Sequence, residues 1–236
     1  MSFKGRKAHI DYQYSISSYT LTRVDTITDL GIILSNDLSF AKQINKVCCK
    51  ARGRSAMILK CFQSRDKKLL FRAFTVYVRP ILEYCCNVWA PYKLCDIRKL
   101  ESVQRLFTKK LIGLKGMPYQ DRLKCLDTES LEIRRLKSDL SMYFKILHGI
   151  VDMPHDTFFQ VREVRTRSNG LTLYKDKFSC NVERYFFRHR CINIWNMLPQ
   201  NVVCSNNLSL FNSRLNALDL DSIILKASIC CWNVVL

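Results

Sequence analysis

The stretch FRAFTVYVRPILEYCCNVWAPYKLCDIRKLESVQRLFTKKL, Phe71 to Leu111, holds the densest mixture of aromatic, apolar and basic residues in the chain. Leu69, Leu70, Ala73, Phe74 and Tyr77 recur at helical spacing into it. Pro80 has no amide hydrogen, and its ring clashes with the carbonyl four residues back, so that helix must bend or stop there. Ile81, Leu82, Tyr84, Val88 and Trp89 resume an apolar face as far as Pro91. Ile97, Leu100, Gln104, Phe107 and Leu111 then follow at three- and four-residue steps, which puts them on one stripe of a second helix. Arg98, Lys99, Arg105, Lys109 and Lys110 fall on the opposite face. The expectation is a helical hairpin, apolar inside and cationic outside.

Upstream, Phe40 to Phe62 carries Ile44, Val47, Ala51, Ile58 and Leu59 at helical spacing, with Ser39 placed as an N-cap. This segment holds Lys42, Lys46, Lys50, Arg52, Arg54 and Lys60 and no acid. A solvated helix ordinarily alternates charge signs to form i to i+4 pairs, and this one gives that stabilisation up. Before it, Tyr12 to Leu34 resembles short strands joined by polar turns and ended by Asn36 and Asp37. So small a sheet is marginal alone and should lean on a helix or on a partner.

Downstream, Pro118 to Leu126 supports one or two helical turns. Ser130 is placed to cap a long helix with Ile133, Leu136, Leu140, Tyr143, Phe144 and Leu147 inside, Arg134, Arg135 and Lys137 outside, and Gly149 at its end. A β-hairpin is expected near 160–175, from Val161–Val164 and Leu171–Tyr174 around Ser168, Asn169 and Gly170. Tyr185 to Leu198 reads as one amphipathic helix on Phe186, Phe187, Ile192, Trp195 and Leu198, and Leu208, Phe211, Leu215 and Leu218 as a last stripe. Beyond Asp221 the pattern predicts no structure.

With 7 glycines, 5 prolines and 48% apolar residues, a helix-rich body is favoured over a disordered tail or a many-turned sandwich. The net charge of +18 favours a polyanionic partner, nucleic acid or an anionic surface, over a merely soluble exterior. No apolar run reaches the roughly 20 residues that span a bilayer, so no membrane partner is expected. The opening MSFKGRKAHIDYQ has no apolar core of a secretion signal. The 12 cysteines are therefore read as reduced thiols in a nuclear or cytoplasmic, not secreted, protein.

Chemistry is scarce by comparison. Nucleotidyl transfer needs paired carboxylates to hold two divalent cations, and no Asp-Asp pair exists; Asp121, Asp127, Glu129 and Glu132 sit where helix starts place capping groups. There is no Gly-rich phosphate loop and no C-x-x-C spacing. Cys180, His189 and Cys191 lack a fourth ligand nearby, so a structural zinc site is not expected. Nothing marks a Cys or Ser nucleophile with a His base. Trp89 and Trp195 are core aromatics rather than base-stacking platforms on their placement, and Arg79 a paired, structural arginine.

The strings YVRPILEYCCNVWAP (Tyr77 to Pro91), LESVQRLFTKKLIGL (Leu100 to Leu114), PYQDRLKCLDTESLEIRRLKSDLSMYFKILHG (Pro118 to Gly149) and YFFRHRCINIWNMLP (Tyr185 to Pro199) resemble, in order, the C-terminal region of reverse transcriptases of jockey-like, LINE-class non-LTR retrotransposons. TDLGIILSNDLSF (Thr28 to Phe40) resembles the strand and turn just after the polymerase palm. The resemblance covers about residues 20 to 218. It implies a mainly α fold, a helical thumb-like bundle with a small N-terminal β element. The implied division is palm-proximal strands over 1–39, a thumb-like domain over 40–150, a C-terminal extension over 151–220 and a tail over 221–236.

It also implies that the helices from Phe40 onward lie beside an RNA-DNA hybrid or RNA and grip phosphates and shape rather than base sequence. The metal-binding aspartates of the family's Phe-Ala-Asp-Asp-type motif are absent. No cofactor is therefore expected in this chain, although the full-length enzyme would use magnesium, and no catalysis is expected from the chain alone. The missing palm is an implied partner, and an exposed apolar surface should mark its place. Lys46, Lys50, Arg54, Arg105, Lys109, Arg134 and Arg135 are the candidate phosphate contacts.

Overall fold

The computed structural model describes residues 13–162, 171–178 and 180–225. Four short strands come first: β1 (Ser15–Ile16), β2 (Tyr19–Thr20), β3 (Thr26–Asp29) and β4 (Ile32–Ser35). Helices α1 (Ala41–Cys61), α2 (Lys67–Tyr77), α3 (Arg79–Glu83), α4 (Cys86–Trp89), α5 (Leu94–Lys109), α6 (Tyr119–Cys125) and α7 (Leu131–Leu147) follow. Short helices close the described chain: α8 (His155–Phe158), α9 (Asn181–Arg184), α10 (Phe187–Arg190), α11 (Ile192–Asn196), α12 (Gln200–Val203) and α13 (Leu208–Asn216). The fold is thus mainly helical with a small N-terminal β element. Its residues form two compact units, so that the expected 40–150 stretch is shared between both.

The first unit takes in the described part of Met1–Tyr84 together with Pro91–Tyr119. Its strands form two separate antiparallel hairpins, β1 with β2 and β3 with β4. Leu30 and Gly31, at φ 46 and 83, make the two-residue turn between β3 and β4, the primed kind whose twist suits a hairpin. This second hairpin leans on a helix as expected: Ile32 is buried, and the Ile33 N–H donates to Gln43 Oε1 of α1 at 3.0 Å. The first leaves Tyr14, Ile16 and Tyr19 more than half exposed.

Helix α2 stops at Tyr77, and Pro80 sits in the first turn of α3, where its missing N–H costs no helical bond. Arg79 is buried, with its guanidinium 5.5 Å from the Phe71 ring centre. Phe74 and Phe107, with rings 4.6 Å apart, join α2 to α5, and Ile44, Ala51, Leu70, Leu82 and Leu100 fill the space around them. The start of α1 differs from expectation. Its N-cap is Phe40, without a side-chain bond, because Asp37 takes the Ser39 N–H and the Ser39 hydroxyl reaches only Ala41 N, at 3.4 Å.

The second unit joins Cys85–Ala90 to the described residues from Gln120 on. Ser130 caps α7 by accepting from Ile133 N at 3.3 Å. Gly149 ends the helix at φ 63, and Ile150 N reaches back to Lys145 O at 2.8 Å. Both α4 and α13 pack on α7, so it is covered on two sides. The core gathers Leu140, Tyr143, Phe144, Trp195, Phe211 and Leu215, with Trp89 fully buried on α4. Gln160 and Tyr174 flank an antiparallel bridge between Val161 and Leu173, as the expected hairpin requires; residues 163–170, including the predicted turn, lie outside the described residues.

The single helix expected over Tyr185 to Leu198 is instead α10 and α11, divided at Cys191. There the backbone leaves the helical region at φ −107, ψ 0, and the thiol faces Asp139 of α7 at 3.6 Å. Phe186, assigned to the inner face, is exposed. Helical turns also run through 220–225, past the point where the pattern ceased to predict them.

Candidate nucleic-acid interface

Helix α1 buries Ile44, Val47, Cys48, Ala51, Ser55 and Ile58 against the rest of the first unit, and this arc fixes what faces outward. Lys42, Lys46, Lys50 and Arg54 recur every fourth residue, so they climb the exposed side as a line with steps of about 6 Å. Helix α5 packs beside α1, and two polar bonds stitch the seam: Lys99 Nζ donates to Asn45 Oδ1, and Arg52 Nη2 donates to Ser102 Oγ at 2.9 Å. Arg98, Arg105 and Lys109 project from the solvent side of α5. The α5 seam runs along the side of α1 that carries Asn45 and Arg52, whereas Lys46 and Lys50 lie toward the β3–β4 turn and α3, so each helix presents its own row of exposed cations.

Of the seven candidate contacts, Lys46, Lys50, Arg54, Arg105 and Lys109 belong to this unit and are exposed. Lys46 Nζ lies 3.3 Å from the Gly31 carbonyl. Arg105 stacks over Tyr119, 4.7 Å from its ring centre, and that ring is held by its hydroxyl's bond to Glu101 and by Gln104 Nε2 at 3.1 Å. Burial, and Glu101 after it, push the Tyr119 phenol far above its ordinary range, so it stays a neutral donor. Among the described residues, Lys42, Lys50, Arg54, Arg98, Lys109 and Lys110 have no ion-pair partner.

The other two candidates belong to the second unit. Arg134 is half-buried and Arg135 is 4% exposed, so Arg135 does not cover the outside of α7. The reason is the second packed side of α7: Leu131, Arg135, Asp139 and Ile146 line a buried arc beside the apolar stripe that periodicity revealed. Lys137, the third cation of that group, pairs with Glu129.

The second unit also holds a polar cluster that the sequence reading missed. Asp139 accepts from Arg190 Nη2 at 2.6 Å and Nε at 2.8 Å, and from Asn87 Nδ2 at 2.8 Å. Arg190 Nη2 also donates to the Asn87 carbonyl at 2.8 Å. The forked pair clamps α4, α7 and α10 together. Burial, then the Asp139 charge, drives the Cys191 thiol well up, which makes it an inert neutral group rather than a thiolate nucleophile. His189, 5% exposed, is held below its ordinary pKa by burial and then by Arg188, whose Nε donates to His189 Nε2 at 3.1 Å. Among the described residues, no three His, Cys, Asp or Glu side chains gather as a metal site, and no helix is long and apolar enough to cross a membrane.

No protein-family model matches the chain, and no solved structure matches it. Among curated proteins it is similar to the uncharacterized Caenorhabditis elegans protein B0403.1, at 29% identity over 131 residues. The match takes in 54% of this chain and 66% of that protein, just short of two thirds of its length.

Proposed function

We propose that this chain is the post-palm and thumb region of a non-LTR retrotransposon reverse transcriptase, and that it binds template-primer nucleic acid, an RNA-DNA hybrid or RNA, through the basic faces of α1 and α5. The observation that carries the reading is the line of exposed cations on α1, of which Lys42, Lys50 and Arg54 have no ion-pair partner among the described residues. Among the described residues, Lys42, Lys50 and Arg54 of α1, Arg98 and Lys109 of α5 and Lys110 at its end have no ion pair, whereas in the second unit Lys137 pairs with Glu129, Arg188 with Asp176 and Arg190 with Asp139. Binding is through phosphates and is not sequence-specific. The reading gives the chain alone no polymerase activity, since its 236 residues contain no adjacent Asp-Asp pair of the kind that the family's metal-binding motif carries.

The exposed Tyr14, Ile16 and Tyr19 favour a second reading, a helical module whose partner is a protein such as the palm. Electrophoretic mobility of a labelled RNA-DNA hybrid with the whole chain separates the two. A shift at low salt that is lost at high salt supports the nucleic-acid reading, and no shift at low salt rejects it.

A further inference from the structure

Between the β3–β4 turn, α1 and α3 lies an open cavity of about 300 Å³, lined by Gly31, Gln43, Lys46, Val47, Lys50, Pro80, Ile81 and Tyr84. Its wall is mostly apolar, from Val47, Pro80 and Ile81, and its cations stand together on α1. The site is braced from two directions: Tyr84 Oη donates to the Leu30 carbonyl at 3.2 Å, and Lys46 Nζ donates to the Gly31 carbonyl at 3.3 Å. Buried Gln43 ties the neighbouring strand down through the Ile33 N–H. The turn is thereby held off α3, and the cavity is a fixed feature of the first unit.

Its chemistry suits an occupant that is flat and apolar at one end and anionic at the other. The volume is at the lower limit of small-ligand pockets, about 300–1,000 Å³, so it fits one ring system rather than a large molecule. Lys46 and Lys50 are one helical turn apart on the same line of cations that continues to Lys42 and Arg54. A strand whose phosphates follow α1 would pass the mouth of the cavity. We propose that the cavity receives one unpaired base of a single-stranded extension, with the flanking phosphates on Lys46 and Lys50. The inference rests on the basic-face reading above. Bases inside a duplex are stacked and cannot enter, so the cavity adds affinity only where a strand end is unpaired.

The test uses the whole chain and three labelled RNA-DNA hybrids: blunt, extended by a short unpaired overhang, and extended by the same overhang made of abasic residues. The abasic form keeps the phosphates and removes the bases. Fluorescence anisotropy should show the base-carrying overhang bound about five- to tenfold tighter than the abasic one. Ile81→Trp, which fills the cavity and leaves both lysines, should remove that difference while leaving blunt-hybrid affinity unchanged. Equal binding of the two overhangs to the unaltered chain overturns the proposal without any variant having to fold, and so does a base preference that survives Ile81→Trp. Failure of all three hybrids to bind overturns the basic-face reading and the base pocket with it, whereas failure of the base preference alone leaves that reading standing.

Discussion

Replacing Lys50 and Arg54 with alanine removes two cations from the middle of the α1 line, and the consequence can be worked from the charge count. Both side chains are exposed, neither has an ion pair among the described residues, and alanine is a good helix former, so stability should move by no more than about 0.5 kcal/mol. If about five cations of the α1 and α5 faces contact phosphates, the logarithm of affinity falls with the logarithm of salt at a slope of about −4.5. Raising salt from 50 to 200 mM then weakens binding about 500-fold. With two contacts gone the slope becomes about −2.7, and the same change in salt costs about 40-fold. Anisotropy titrations of a blunt RNA-DNA hybrid across that range measure both slopes. Lys124→Ala, an exposed cation of the second unit, is the control and should leave the slope where it was. An unchanged slope in the double variant, or an equal change in the control, refutes the assignment of binding to α1.

Three further perturbations address the scaffold. Asp139→Asn strips the charge from a buried fork and strands Arg190, so denaturant unfolding should show a loss of about 3 kcal/mol or more; a loss below about 1 kcal/mol would contradict the clamp. The lowered pKa of His189 means that the unfolded chain takes up its proton first. Its contribution is therefore constant above about pH 6.5 and is lost as pH falls from there toward the folded-state pKa, a slope in Tm that His189→Gln should flatten. Leu30→Asn puts a residue at ease with positive φ before Gly31 and should raise stability by about 1 kcal/mol in thermal unfolding, because leucine at φ 46 is strained.

What could be read in advance was local. The stop at Pro80, the Ser130 cap and the Gly149 terminus each follow from chemistry within a few residues, and each stands in the structure. The α1 cations were visible too, because a helix without acids is a local property of its sequence, and those of α5 because they fall opposite its apolar stripe. What escaped was set by distant contacts. Asp139 meets residues 51 and 52 positions away, and Asn87 and Arg190 are 103 apart, separations that no periodicity encodes. The same cause explains Arg135: a single stripe was counted on α7, but α4 covers a second side. The division of the Tyr185 to Leu198 helix likewise arises where Arg190 and Cys191 turn toward Asp139. The cavity beside Tyr84 was hidden in the same way, since it exists only once Leu30 and Gly31 are brought against α1 and α3.

Lysine footprinting tests the central claim most directly. The whole chain is acetylated with and without a saturating RNA-DNA hybrid at low salt, and the modified positions are read by mass spectrometry. The expected result is protection of Lys42, Lys46 and Lys50 on α1 and Lys109 on α5, with Lys124 modified equally in both samples. Uniform modification, or protection confined to the second unit, would contradict a nucleic-acid interface on α1 and α5.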